Sequence, residues 1–203
     1  MPFDEPRRRI LQHALEELVC EKSMGDDIEA RAVALAMLAQ QDTGYLVDAN
    51  AALDHAITEG LQSNWILFYM AEAWFAAGNL PGALSCASSV QSNYFDDEDL
   101  HWRSVRMDEI RAATLLKLRR FSEGVEVAMN VCAELARRGD IDDLAPPVQL
   151  TQAALSLVVA SPSAEAIQAG CAVLHAISHS IDLKSWFPPE LVDEIETRLL
   201  ACN

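Results

Sequence analysis

The chain has 203 residues, 51% of them hydrophobic, enough for one substantial core and too apolar for a disordered chain. Thirty-one acidic residues against fifteen Lys and Arg leave a net charge of −16, which counts against a nucleic-acid partner and fits solubility or a basic partner. No apolar run reaches the roughly 18–20 residues that cross a bilayer, and the start MPFDEPRRRILQHALEEL lacks the apolar stretch of a secretory signal, so a cytoplasmic protein without membrane contact is expected.

Alanine and leucine dominate, and apolar residues recur at helical spacing, which predicts an all-α fold. A first helix is expected over 5–22, with Ile10, Leu11, Leu15, Leu18 and Val19 on one stripe and Glu16, Glu17 and Glu21 opposite. Arg7, Arg8 and Arg9, flanked by Asp4 and Glu5, read as a solvated helix start. Helices follow over 27–41, 45–59, 63–77, 80–93, 98–118, 121–138, 147–160 and 163–179. Gly25, Thr43-Gly44, Gly60, Gly78-Asn79, Gly139-Asp140 and Ser161-Pro162 punctuate them. After Pro188-Pro189 a last helix over 189–201 puts Leu191, Ile195 and Leu199 on one side. No linker is long or polar enough to divide the chain, so a single helical domain over 1–203 is expected.

Within that run of helices a register repeats. Gly44, Leu46 and Ala49 recur 34 residues later as Gly78, Leu80 and Ala83. Gly124 takes the alanine position 41 residues after Ala83, and Ala166 takes it 42 residues further on. Two more columns follow at helical spacing: Leu53, Ala87, Ala128 and Gly170, then Ala56, Val90, Val131 and Val173. The preceding helices contribute a column of Met37, Ala71, Ala112 and Ala154. Small residues at fixed register let paired helices approach closely, so each turn belongs to a repeated helix–turn–helix unit.

The columns resemble the tetratricopeptide repeat over about residues 30–180, best in the second copy with Ala71, Trp74, Gly78, Ala83 and Ala87. The third copy departs by placing Asp108 and Arg111 at usually apolar positions. The resemblance implies an α-solenoid of antiparallel helix hairpins in a right-handed superhelical stack. About four hairpins would span 27–180, with capping helices over 1–24 and 188–203. The terminal helices could instead pair two copies of the chain.

No nucleotide-binding, nucleophile-elbow or zinc-protease motif is present, so neither an enzyme nor a cofactor is expected. Cys20, Cys86, Cys132, Cys171 and Cys202 form no CxxC pair and read as reduced thiols, four of them inside helix-like runs. Cys171, His175 and His179 recur every fourth residue, but eight residues of helix separate the ends by about 12 Å, too far for one ion. No metal is expected. Asp96, Asp97, Glu98 and Asp99 read as the acidic start of a helix rather than a calcium loop.

The resemblance implies a concave groove lined by the first helix of each pair. Helical spacing then assigns Arg31 and Leu38 to it from one copy, Trp65, Phe68, Glu72 and Phe75 from the next, and Arg106, Glu109 and Lys117 from the third. The expected function is an adaptor or chaperone that binds a protein or peptide segment there. A groove filled by the chain's own terminal helix, or by SHSIDLKSWFPPE, is the competing expectation. The alternative function is an acidic inhibitor, immunity-type or assembly protein acting through its outer surface.

Overall fold

Single polar residues write five of the helix starts. Asp27, Ser63, Asn79, Ser163 and Asp182 each turn a side-chain oxygen onto a backbone N–H one turn or less ahead, at 3.0, 3.3, 3.1, 3.4 and 3.2 Å, satisfying donors that the first helical turn leaves open. The computed structural model describes His13, Leu15, Glu16 and residues 27–61, 63–91, 95, 100–138 and 145–202. Among the described residues every regular element is helical. The contacts divide the chain into two units, 1–91 and 92–203, where the sequence suggests one body.

In the first unit α1 (Ile28–Gln41) leads through a 3-10 turn, Thr43–Tyr45, to α2 (Leu46–Thr58), and α3 (Asn64–Ala76) is followed by α4 (Leu80–Ser89). Helix α1 packs on both α2 and α3, and α3 packs on α4. Gly60 and Gly78 end α2 and α3 at φ 78° and 76°, a left-handed conformation that costs a Cβ-free residue nothing. Helix α4 stops earlier than the 80–93 expected, because Val90 is already extended.

The second unit runs α5 (His101–Lys117), α6 (Phe121–Arg138), α7 (Val148–Ala160), α8 (Ala164–Ser180), the short α9 (Leu183–Trp186) and α10 (Pro189–Ala201). Here α5 packs on α6 and α7, α8 packs on α6 and α7, and α10 lies against α7, α8 and α9. The remaining bounds agree with the sequence reading to within about three residues; α9 has no counterpart in it. The first expected helix, over 5–22, falls mostly outside the described residues, although His13, Leu15 and Glu16 are helical.

The repeated columns sit where the paired helices meet. Ala49, Ala83, Gly124 and Ala166 are buried, as are Leu53, Ala87, Ala128 and Gly170. Ala71, Ala112 and Ala154 are buried beside a half-buried Met37, and Ala56, Val131 and Val173 beside a half-buried Val90. The approach is closest between α7 and α8: a Cβ on Gly170 would stand 2.7 Å from the Ala154 carbonyl oxygen. On Gly124 it would stand 2.9 Å from the Leu116 side chain. Asp108 and Arg111, the polar intrusions in the third copy, pair with each other at 3.1 Å and remain partly exposed.

The cysteine reading needs correction. Cys171 and Cys202 form a disulfide, with Cα atoms 5.9 Å apart, so they are not a pair of reduced thiols, and the cysteine-based argument for a reducing compartment falls with them. Spacing alone could not reveal this: the cysteines are 31 residues apart, and only the return of α10 onto α8 brings them together. Cys86 and Cys132 are free and buried, as expected. Among the described residues no helix is long and apolar enough to cross a membrane.

Candidate functional site

The residues assigned to the groove divide into three groups. Leu38, Phe68 and Glu109 are interior, only 1%, 1% and 4% exposed. Trp65, Glu72, Phe75 and Arg106 are half-buried, and Arg31 and Lys117 are exposed. Leu38, Phe68 and Glu109 therefore present no open binding face, a correction to the sequence assignment.

Leu38 is closed off by the chain itself. It packs with Ala34 against Leu15, with Met37 and Tyr45 at the margin, and the Tyr45 hydroxyl donates to Glu16 at 2.6 Å. The self-filling expected from the C-terminal end of the chain thus comes, at this copy, from the N-terminal side. Phe68 instead turns inward from α3 and meets the Tyr69 ring edge-on, centroids 5.0 Å apart. Trp65, Glu72 and Phe75 lie on the same stripe of α3 as Phe68 by helical spacing and are half-buried, whereas Phe68 between them is closed off.

Polar side chains fix α1 against α3 at both ends of that stripe. Ser63 donates through its hydroxyl to Glu29 at 2.5 Å, and Gln40 donates through its amide to the Glu72 carboxylate. Arg31 lines a different recess, a cleft of about 410 Å³ between α1 and α2 whose walls include Ile28, Leu35, Asp48 and His55. A second cleft, of about 450 Å³, has no counterpart in the sequence reading; it joins the ends of α2 and α4 to the start of α3. Its rim carries Ile57, 59% exposed, and Leu61, 37% exposed. Ile57 directly follows the buried Ala56, so its position off the core face of α2 is the sequence signal that could have marked it.

In the second unit Glu109 is a structural group. Its carboxylate accepts from the Arg106 guanidinium at 2.5 Å and from the backbone N–H groups of Gln149 and Leu150 at 2.8 and 3.3 Å. Arg106 also donates to the Gln149 side-chain oxygen at 2.5 Å. Helix α7 begins after Pro147 with no side-chain cap of its own, and a negative group at its positive end supplies one from α5. Burial pushes the Glu109 carboxyl above the usual range, while Arg106 and the two N–H donors pull it back.

A polar cleft of about 340 Å³ between α5 and α6 holds His101, Ser104, Asp108 and Glu134. His101 Nε2 lies 3.3 Å from Glu134, which also accepts from Arg137 at 2.7 Å. Arg137 first, and His101 after it, hold the Glu134 carboxyl below its ordinary range. Asp108 and Glu134 thus already face cations of the same chain. Among the described residues no three His, Cys, Asp or Glu side chains converge as a metal site, and Cys171, the first member of the Cys171, His175 and His179 series, is committed to its disulfide. The acidic run 96–99 lies outside the described residues. Comparison with protein-family models, with curated proteins and with solved structures gives no significant match to this chain.

Proposed function

We infer that the chain is a non-enzymatic interaction module: a tetratricopeptide-like α-solenoid, capped by its terminal helices, that holds a peptide or protein segment as an adaptor or chaperone. The observation that supports this reading is the stripe of Trp65, Glu72 and Phe75 on α3, half-buried on either side of the enclosed Phe68. Large rings that are partly packed and partly wet are held in place yet keep apolar area to give a partner. Glu72, held by Gln40, marks the acidic end of that stripe, and Arg31 and Lys117 are exposed elsewhere on the chain.

The test is selection of peptides on the full chain, followed by titration of the best one against wild type and a Trp65→Ala/Phe75→Ala variant shown to be folded. Loss of about tenfold or more in affinity, little altered by salt, is expected of apolar docking. Equal affinity for both proteins would overturn the assignment. The net charge of −16 favours a second reading, an acidic inhibitor or assembly protein that meets a basic partner. That binding would fall steeply with salt, because exposed charges are screened over about 8–10 Å, and would ignore the variant.

A further inference from the structure

The last helix is attached to its unit in two ways that can be separated. Helix α10 buries Val192 and Ile195, 3% and 0% exposed, while Asp193, Glu194 and Glu196 are exposed to solvent. Its start follows Pro188 without a side-chain cap. Its end is fixed covalently: Cys202, the residue after the helix, is joined to Cys171 in the middle of α8. Both bonded cysteines are half-buried rather than enclosed, so a small thiol can reach the bond. We propose that the Cys171–Cys202 disulfide is a redox latch that sets how often α10 lifts from α7 and α8.

The exchange balances with a dithiol as reductant. Its thiolate attacks one sulfur of the bridge, forming a mixed disulfide and releasing the other cysteine as a thiolate. The reductant's second sulfur then displaces the first cysteine. Two electrons and two protons end on Cys171 and Cys202, and the dithiol leaves as its own disulfide. An oxidised dithiol runs the same steps backwards and closes the latch.

The buried thiols among the described residues do not interfere. Cys86 and Cys132 are buried in surroundings that push both up to about 11, so neither is a thiolate near neutral pH and neither attacks the bridge. The helix keeps Val192 and Ile195 in either state, so opening the bond loosens α10 without removing its core contacts. A bridge closing a span of 31 residues restricts the open ensemble, and its loss is expected to raise the opening of α10 by about a hundredfold.

Hydrogen exchange read by mass spectrometry on the full chain tests this, comparing untreated protein, protein held in dithiothreitol, and Cys202→Ser with and without dithiothreitol. Alkylation under native conditions, before and after reduction, counts the thiols. The latch predicts that peptides from 189–201 lose about a hundredfold of protection in dithiothreitol, that α5 to α7 keep theirs, and that Cys202→Ser is already open and insensitive to reductant. Cys171 and Cys202 become alkylated only after reduction, while Cys86 and Cys132 stay unlabelled until the protein is denatured. Unchanged protection of 189–201 on reduction would overturn the proposal. So would loss of protection throughout the second unit, which would make the bond a general staple, or alkylation of Cys171 and Cys202 in untreated protein.

Discussion

The carboxylate of Glu109 on α5 accepts the backbone N–H of Gln149 on α7 at 2.8 Å, across 40 residues of sequence. That bond joins a helix start to a side chain the start does not own. Removing the carboxylate takes this charged partner from the Arg106 guanidinium, leaving its bond to the Gln149 side chain, and reopens the Gln149 and Leu150 donors together. Breaking one partner of a buried ion pair costs about 3–5 kcal/mol, so Glu109→Ala should lower unfolding stability by about 3 kcal/mol in a denaturant titration. Glu109→Gln keeps an acceptor and should lose less. The exposed Arg120–Glu123 pair, at 2.5 Å, is the control: Glu123→Gln should leave the unfolding midpoint where it is.

Gly170→Ala should destabilise even though alanine is the better helix former. The new methyl would meet the Ala154 carbonyl oxygen at 2.7 Å and the Val158 side chain at 2.8 Å, and backbone cannot step aside as a side chain can. Overpacking costs about 1–3 kcal/mol, against a propensity gain of about 1 kcal/mol, so the urea midpoint should fall. Gly124→Ala meets chiefly the Leu116 side chain, which can shift somewhat, and should fall less. Equal or higher midpoints for Gly170→Ala would mean that α7 and α8 are not in this close contact.

Asp182 gives a pH signature. The Ser185 hydroxyl, donating at 2.6 Å, and then the Lys184 backbone N–H, at 3.2 Å, hold its carboxyl below the ordinary range of an aspartate. A depressed folded value means that the cap's contribution is complete above the unfolded value and is lost as pH falls through the folded one. Carboxyl NMR titration should place Asp182 below the ordinary range of an aspartate. In Ser185→Ala its midpoint should move up, and an unmoved midpoint would show that the hydroxyl bond is not formed in solution.

Much of the architecture was legible because two signals are local. Turn residues such as Gly60 and Gly78-Asn79 act within one turn, and the small-residue columns mark a face by spacing alone; both marked helix ends and packed faces without knowledge of neighbours. What the sequence left hidden depends on what covers each face. Leu38 and Phe68 lie on the stripe that helical spacing assigns to a groove, but Leu15 closes over the first and the second turns inward. Glu109 carries the charge of a surface residue, and nothing near it in sequence announces that an uncapped helix starts beside it. The Cys171–Cys202 bridge likewise depends on where α10 returns, a long-range event that no spacing rule encodes.

The borrowed cap on α7 also ties two helix ends together. The first turn of 148–160 has no side-chain cap of its own, and two of its N–H groups depend on a carboxylate held by α5. A local opening that moves Glu109 therefore also uncovers the start of α7, so amide protection at Gln149 and Leu150 is expected to follow that of α5 around Glu109.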